Sequence, residues 1–196
     1  MIKKLGFSIA LLLFIAACTT KTIFNTTNVN NRYTIDLPEY FQPCSDLHKD
    51  ASLQYQNTDI DIYAMVIEEK KVTMENYDLD YDLDLYFKNI ASQPFIENIK
   101  NGKVSPPGRQ EIAGNNSLIS EITGNVDGID VYYRMAIIES PYSFYQVLLW
   151  TRADKKEKYL NDIIHTIESF KELAHSEDEL PQPKINTDSV QIKLAY

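Results

Sequence analysis

RQEIAGNNSLISEITGNVDGIDVYYRMAIIESPYSFYQVLLWTR, residues 109–152, is the stretch that decides the fold. Residues 109–113, 117–126, 129–139 and 143–152 are rich in Ile, Val, Tyr and Phe, which suit a half-buried pleated surface. Turn residues part them. Gly114-Asn115-Asn116 separates the first two runs and Asp127-Gly128 the middle pair; both residues of Asp-Gly accept positive φ, as a tight two-residue hairpin requires. Residues 139–142, with Pro141, make the last turn. The pattern predicts four strands in an antiparallel meander. The last strand is bulky on both faces, with Phe144, Leu148 and Trp150 on one and Tyr145, Val147 and Leu149 on the other. Such a strand belongs in the middle of a sheet covered on both sides.

Working outward toward the C-terminus, Tyr159, Leu160, Ile163, Ile164, Ile167 and Phe170 recur at helical spacing. They predict an amphipathic helix of about 18 residues lying on the sheet. Asp154 and Glu157 would open it in the manner of a capping box. Residues 173–196 turn acidic and proline-bearing and read as a disordered tail.

Toward the N-terminus, Tyr33, Ile35 and Leu37 alternate with polar residues until Pro38, a short strand. Residues 51–56 and 60–68 read as a hairpin turning at Asn57-Thr58-Asp59. Leu83, Phe87, Ile90 and Ala91 mark a helix that Pro94 ends or kinks, with residues 95–99 as a continuation. Asn101-Gly102 and Pro106-Pro107-Gly108 are loop signals. The fold class is α/β in the α+β sense: an antiparallel sheet of about six or seven strands with helices packed on both faces. Residues 32–172 form its single globular domain.

The chain begins MIKKLGFSIALLLFIAACTT. Lys3 and Lys4 precede an apolar run from Leu5 to Ala17, and small Ala16 and Ala17 precede Cys18. That is the layout of a secretory signal over residues 1–17. The run is too short for a bilayer-spanning helix, which needs about 20 residues. Ile15-Ala16-Ala17-Cys18 resembles a bacterial lipobox. The resemblance implies cleavage between Ala17 and Cys18, a diacylglycerol thioether on Cys18 and an acylated new amino terminus. Two or more acyl chains anchor stably where one does not. Residues 18–31, polar and without period, read as lipid anchor and flexible tether. Thr19 after the cysteine implies, by resemblance to enterobacterial sorting rules, an outer-membrane position facing the periplasm.

Of 196 residues, 44% are hydrophobic and 24% charged, so the domain can bury a core without staples. The net charge of −9 and the lack of Lys/Arg clusters argue against nucleic acid as a partner. With Cys18 in the signal, Cys44 has no partner inside the mature domain.

The order of elements resembles the Mog1/PsbP-like fold and the bacterial envelope lipoproteins that share it. The segments carrying the resemblance are YTIDLPEYF at 33–41, the hairpin at 51–68, and FYQVLLWTR followed by the helix ending IESF at 167–170. The resemblance implies an antiparallel sheet between helices and a binding or assembly role, with no chemistry of its own.

Candidate chemistry is sparse. Asp78, Asp80, Asp82 and Asp84 alternate like the start of a calcium loop, but Leu83 stands at the glycine position and Asn89 at the bidentate glutamate's. They read as a solvated helix entry, with calcium as the alternative. Cys44, Asp46, His48 and Asp50 lie close in sequence, yet lack the second Cys/His pair of a tetrahedral site. His165 reads as a boundary residue, and Ser117, Ser120, Ser140 and Ser143 lack a nucleophile-elbow setting. The thirteen tyrosines read mainly as strand residues, with an aromatic binding surface as the alternative. The expected protein is therefore a lipid-anchored envelope protein without cofactor that binds a protein partner. A small hydrolase using Cys44 or acidic residues and a calcium-dependent module are its rivals.

Overall fold

The structure, a computed structural model, describes residues 21–77 and 79–173. The expected signal peptide, Cys18 and residues 174–196 of the expected tail lie outside them.

The meander is present. β7 (Gly108–Ile112), β8 (Asn115–Val126), β9 (Ile129–Glu139) and β10 (Ser143–Arg152) pair antiparallel in sequence order. Asp127 (φ 51°) and Gly128 (φ 86°) both take the left-handed conformation at the β8–β9 turn. The β7–β8 turn falls one residue earlier than expected, on Ala113 (φ 49°) and Gly114 (φ 83°), so Asn115 and Asn116 belong to β8. β4 (Ala51–Asn57) and β5 (Ile62–Lys70) form the expected hairpin, and β5 pairs with β10. β10 is thus internal, between β5 and β9. The sheet has eight strands, ordered β3-β4-β5-β10-β9-β8-β6 with β7 also on β8, where β3 is Gln42–Pro43 and β6 is Lys100–Val104.

Both faces are covered, by unlike layers. One carries α4 (Lys156–Glu168) and a small second sheet, β1 (Phe24–Val29), β2 (Tyr33–Pro38) and β11 (Lys171–Glu172). There Tyr33, Ile35, Ile163, Ile167 and Phe170 pack onto Tyr145, Val147 and Leu149. The other face carries the helical segment between β5 and β6, whose Met74, Leu83, Tyr86 and Phe87 pack onto Phe144, Leu148, Met135 and Ile137. That segment comprises α1 (Lys71–Glu75), α2 (Leu83–Tyr86), a π-helical stretch (Phe87–Ser92) and α3 (Gln93–Ile96).

Several expectations are corrected. The tether is not free over its whole length: residues 24–29 form β1, hydrogen-bonded to β2 through a turn at Asn30 (φ 51°) and Asn31 (φ 58°). Asparagine reaches positive φ more easily than other side chains, which lets this hairpin close without glycine. Asn101-Gly102 is not a loop but part of β6, with Asn101 (φ 55°) in a register shift against β8. Pro94 does not end its helix. The turns ahead of it widen to π spacing, and Pro94 enters at the second position of α3, where a missing N–H is tolerated. The capping box does not form: α4 begins from a 3₁₀ turn (Ala153–Lys155), no side chain caps it, and Asp154 accepts from Arg152 instead. At 13 residues α4 is also shorter than expected, because the chain leaves it at Ser169 to pair as β11.

Candidate ligand cavity

The cavity lies under the π-helical stretch. On the helical face of the sheet, β5 presents Tyr63, Met65, Ile67 and Glu69, and β10 presents Trp150, Leu148, Gln146 and Phe144 in matching register. β9 adds Tyr133 beside Trp150 and Met135 beside Leu148. These alternate side chains form one surface because a strand's period is two. Ile90, Ala91, Pro94, Phe95 and Asn98 roof it, and Leu47, His48 and Asp50 close one side. The space is about 590 Å³, the size of a small-molecule site.

Its two ends differ. At one, Trp150 stacks on Tyr133 (5.7 Å, 29°) and on Tyr63 (5.1 Å, 11°), while Phe95 meets Tyr133 edge-on at 5.0 Å. At the other, Gln146 Nε2 donates to the Tyr86 hydroxyl (2.9 Å) and lies 3.5 Å from Glu69 Oε1. Burial, reinforced by the charge of Asp50, pushes the Glu69 carboxyl above the usual carboxylate range. His48 Nδ1 accepts from the Asp50 backbone N–H (3.2 Å).

Residues singled out in the sequence have other settings. Asp82 caps α2, accepting from Leu85 N at 2.8 Å, and Asp84 pairs with Arg109. Asp80 is exposed, and Asp78 lies outside the described residues. Among the described residues no three His, Cys, Asp or Glu side chains converge as a metal group. Cys44 is half-buried, and burial together with Asp46 pushes its thiol up, away from the reactive thiolate. The loop is held by Gln54 Oε1, which accepts from the backbone N–H groups of Leu47 (2.8 Å) and His48 (3.0 Å). His165 is exposed, resting on the Phe24 ring at 4.0 Å and on Asp36 at 3.5 Å.

Sequence reasoning missed a polar network beneath the small sheet. Glu68 accepts from Arg32 and from Ser143 Oγ (2.9 Å). Glu172 accepts from the Tyr145 hydroxyl (2.8 Å) and from Ser140 Oγ (2.7 Å). Burial and the nearby Glu172 raise the Tyr145 phenol. Ser140 and Ser143 thus hold β11 and β5 to the β9–β10 turn; their hydroxyls are occupied structurally. No signal short of the fold joins residues 32, 68, 143 and 172.

Among the described residues no helix is long and apolar enough to cross a membrane. No protein-family model and no curated protein matches the sequence. Solved structures do match. Cyanobacterial PsbP (CyanoP) from Synechocystis sp. PCC 6803 superposes with a TM-score of 0.52 at 11% identity, over 82% of this chain and 98% of that one. LpqN of Mycobacterium tuberculosis, described as involved in cell envelope biogenesis, superposes at 0.54 and 10% identity, over 72% of this chain and 83% of that one. At such identities the likeness speaks to fold alone. Together with the central β10, the covered antiparallel sheet and the terminal helix, it establishes that the chain has the Mog1/PsbP-like fold.

Proposed function

We propose that this chain is a non-catalytic binding protein of the bacterial cell envelope, held at a membrane by lipid on Cys18, with the cavity under the π-helical stretch as its binding site. The cavity carries the reading: it is large, mostly apolar, and has a few polar groups gathered at one end. That LpqN, involved in cell envelope biogenesis, has the same fold agrees with the address. So does the corrected linker. Five residues, 19–23, separate Cys18 from β1, so the six steps from Cys18 to Phe24 span at most about 22 Å when fully extended. The domain would work against the bilayer, on the periplasmic side of the outer membrane that the sorting resemblance of Thr19 implies. The upward push that burial and Asp46 give the Cys44 thiol weighs against the cysteine form of the hydrolase alternative.

The test is a photo-reactive amino acid placed at Phe95, in the cavity roof, and at exposed Ile129 as a control, in intact cells. Adducts from position 95 alone support a cavity-bound partner. Equal yields from both positions, or turnover by the purified domain that a cavity substitution abolishes, would sink the proposal.

A further inference from the structure

The polarity of the cavity runs along one strand. From Gln146 to Trp150 is four residues, about 13 Å at strand rise. The space is therefore longer than one side chain, with carboxylates at one end, Leu148 and Met135 midway, and an aromatic wall at the other. Three acidic residues line it, Asp50, Glu68 and Glu69, and no lysine or arginine does among the described residues. Glu68 contributes little, since its carboxylate turns to Arg32 and Ser143 beyond the sheet. Glu69 is different. It is half-buried on the cavity face, and its neighbours are the neutral amide of Gln146 and the phenol of Tyr86.

We propose that the cavity takes an elongated amphiphile with a protonated amine head, the head against Glu69 and Asp50 and the apolar tail laid along Leu148 toward Trp150. The inference rests on the binding role given to the cavity above. An ammonium head brings donors to a carboxylate that has traded water for weak neighbours, and charge-assisted hydrogen bonds are the strong ones. Its arrival would also reverse the upward push on the Glu69 carboxyl, so that binding releases any proton the free site holds. A carboxylate head would face like charges. A neutral head would gain the tail's burial and nothing from the charge. The aromatic end suits a tail terminus, where a hydrocarbon finds the broad faces of Trp150 and Tyr133.

Trp150 is the chain's only tryptophan, so its emission reports on the cavity directly. The domain is titrated with decylammonium, decyl maltoside and decanoate, one tail with three heads, each below its micellar concentration. The expected result is a saturable change in Trp150 emission, with decylammonium binding at least tenfold tighter than decyl maltoside and decanoate weakest. Glu69→Gln should bring decylammonium down to the level of decyl maltoside while the far-ultraviolet dichroism stays unchanged. Equal affinity for all three heads would overturn the amine assignment and leave the cavity's binding role standing. No saturable change with any of them would overturn both. Should Glu69→Gln fail to fold, the ranking of heads on the unsubstituted protein decides alone.

Discussion

Phe170 is the residue by which the outer layer is tested. Its ring is fully buried, just past the end of α4, 5.1 Å from the ring of Tyr33 on β2 and 4.8 Å from that of Tyr145 on β10. It joins the end of α4 to β2 and β10, and β11 begins at the next residue. Phe170→Ala removes a buried ring that its rigid neighbours cannot replace. Substitutions of this kind cost about 3–5 kcal/mol, including the cavity left behind. Two aromatic contacts are lost at once, each of about 0.5–1.5 kcal/mol, which places the expectation near the middle of that range, about 4 kcal/mol. For a domain of this size each kcal/mol lowers Tm by about 2–4 °C, so the melting temperature should fall by about 8–16 °C. The assay is urea unfolding followed by Trp150 emission and far-ultraviolet dichroism together. Tyr77→Ala, on a side chain 74% exposed, is the control and should stay within about 0.5 kcal/mol. A loss under about 1.5 kcal/mol for Phe170→Ala would refute the packing of α4 and β2 onto β10.

Further outcomes follow from the same geometry. Tyr145→Phe keeps the ring but removes the hydroxyl's hydrogen bond to the Glu172 carboxylate, which keeps that of Ser140 Oγ, and losing a bond to a charged group should cost about 1.5–3 kcal/mol by urea unfolding. Gly124→Ala puts a Cβ 2.3 Å from Ile99 Cγ2 and 3.0 Å from Gly102 Cα, forcing β6 off β8 at about 1–3 kcal/mol; Gly108→Ala, with its nearest atom at 3.9 Å, should be neutral. Two carboxylates should respond to pH in opposite senses. Burial opposes ionisation of Glu121, but hydrogen bonds from Lys156 and Tyr132 and the charges of Lys156 and Arg134 outweigh it and hold its carboxyl below the usual range. Its stabilisation is full above the unfolded-state value and is lost as pH falls through the lower folded one, so Glu121→Gln should be the less stable variant at pH 7 and converge on the parent in acid. Glu69 is pushed up, so its ionised form strains the fold as pH rises past the ordinary carboxylate range, and Glu69→Gln should equal or exceed the parent at pH 7. Paired thermal melts across pH 3–8 check both, and the same sign for the two variants would contradict the assignment.

The meander was legible because its signals are local. Asp127-Gly128 names its own turn, and the two-faced bulk of 143–152 announces a central strand wherever its neighbours lie. β1 was not legible. It is an edge strand of a small sheet, mostly wetted, so FNTTNV carries no alternation and resembles a linker; its hydrogen bonds come from β2. β6 was hidden by Asn101-Gly102, which reads as a turn but serves a bulge, and Gly102 is there because a Cβ would meet Ile96 at 2.5 Å. The cavity was beyond the sequence for another reason. Glu69, Gln146 and Tyr133 share a face only through strand register, Phe95 reaches it from α3, and the π widening that sets Ile90 and Ala91 above them has no composition signal of its own. The amphipathic run of 83–91 predicted a helix there, not the width of its turns.

Whether acyl chains hold this domain at a bilayer is decided by the intact mass of the mature protein from membranes. The expected species begins at Cys18 and carries diacylglyceryl and acyl mass, and Cys18→Ser should leave the membrane fraction without it. A mature chain that retains residues 1–17, or one that stays membrane-bound as Cys18→Ser with no lipid mass lost, would contradict the proposed anchor.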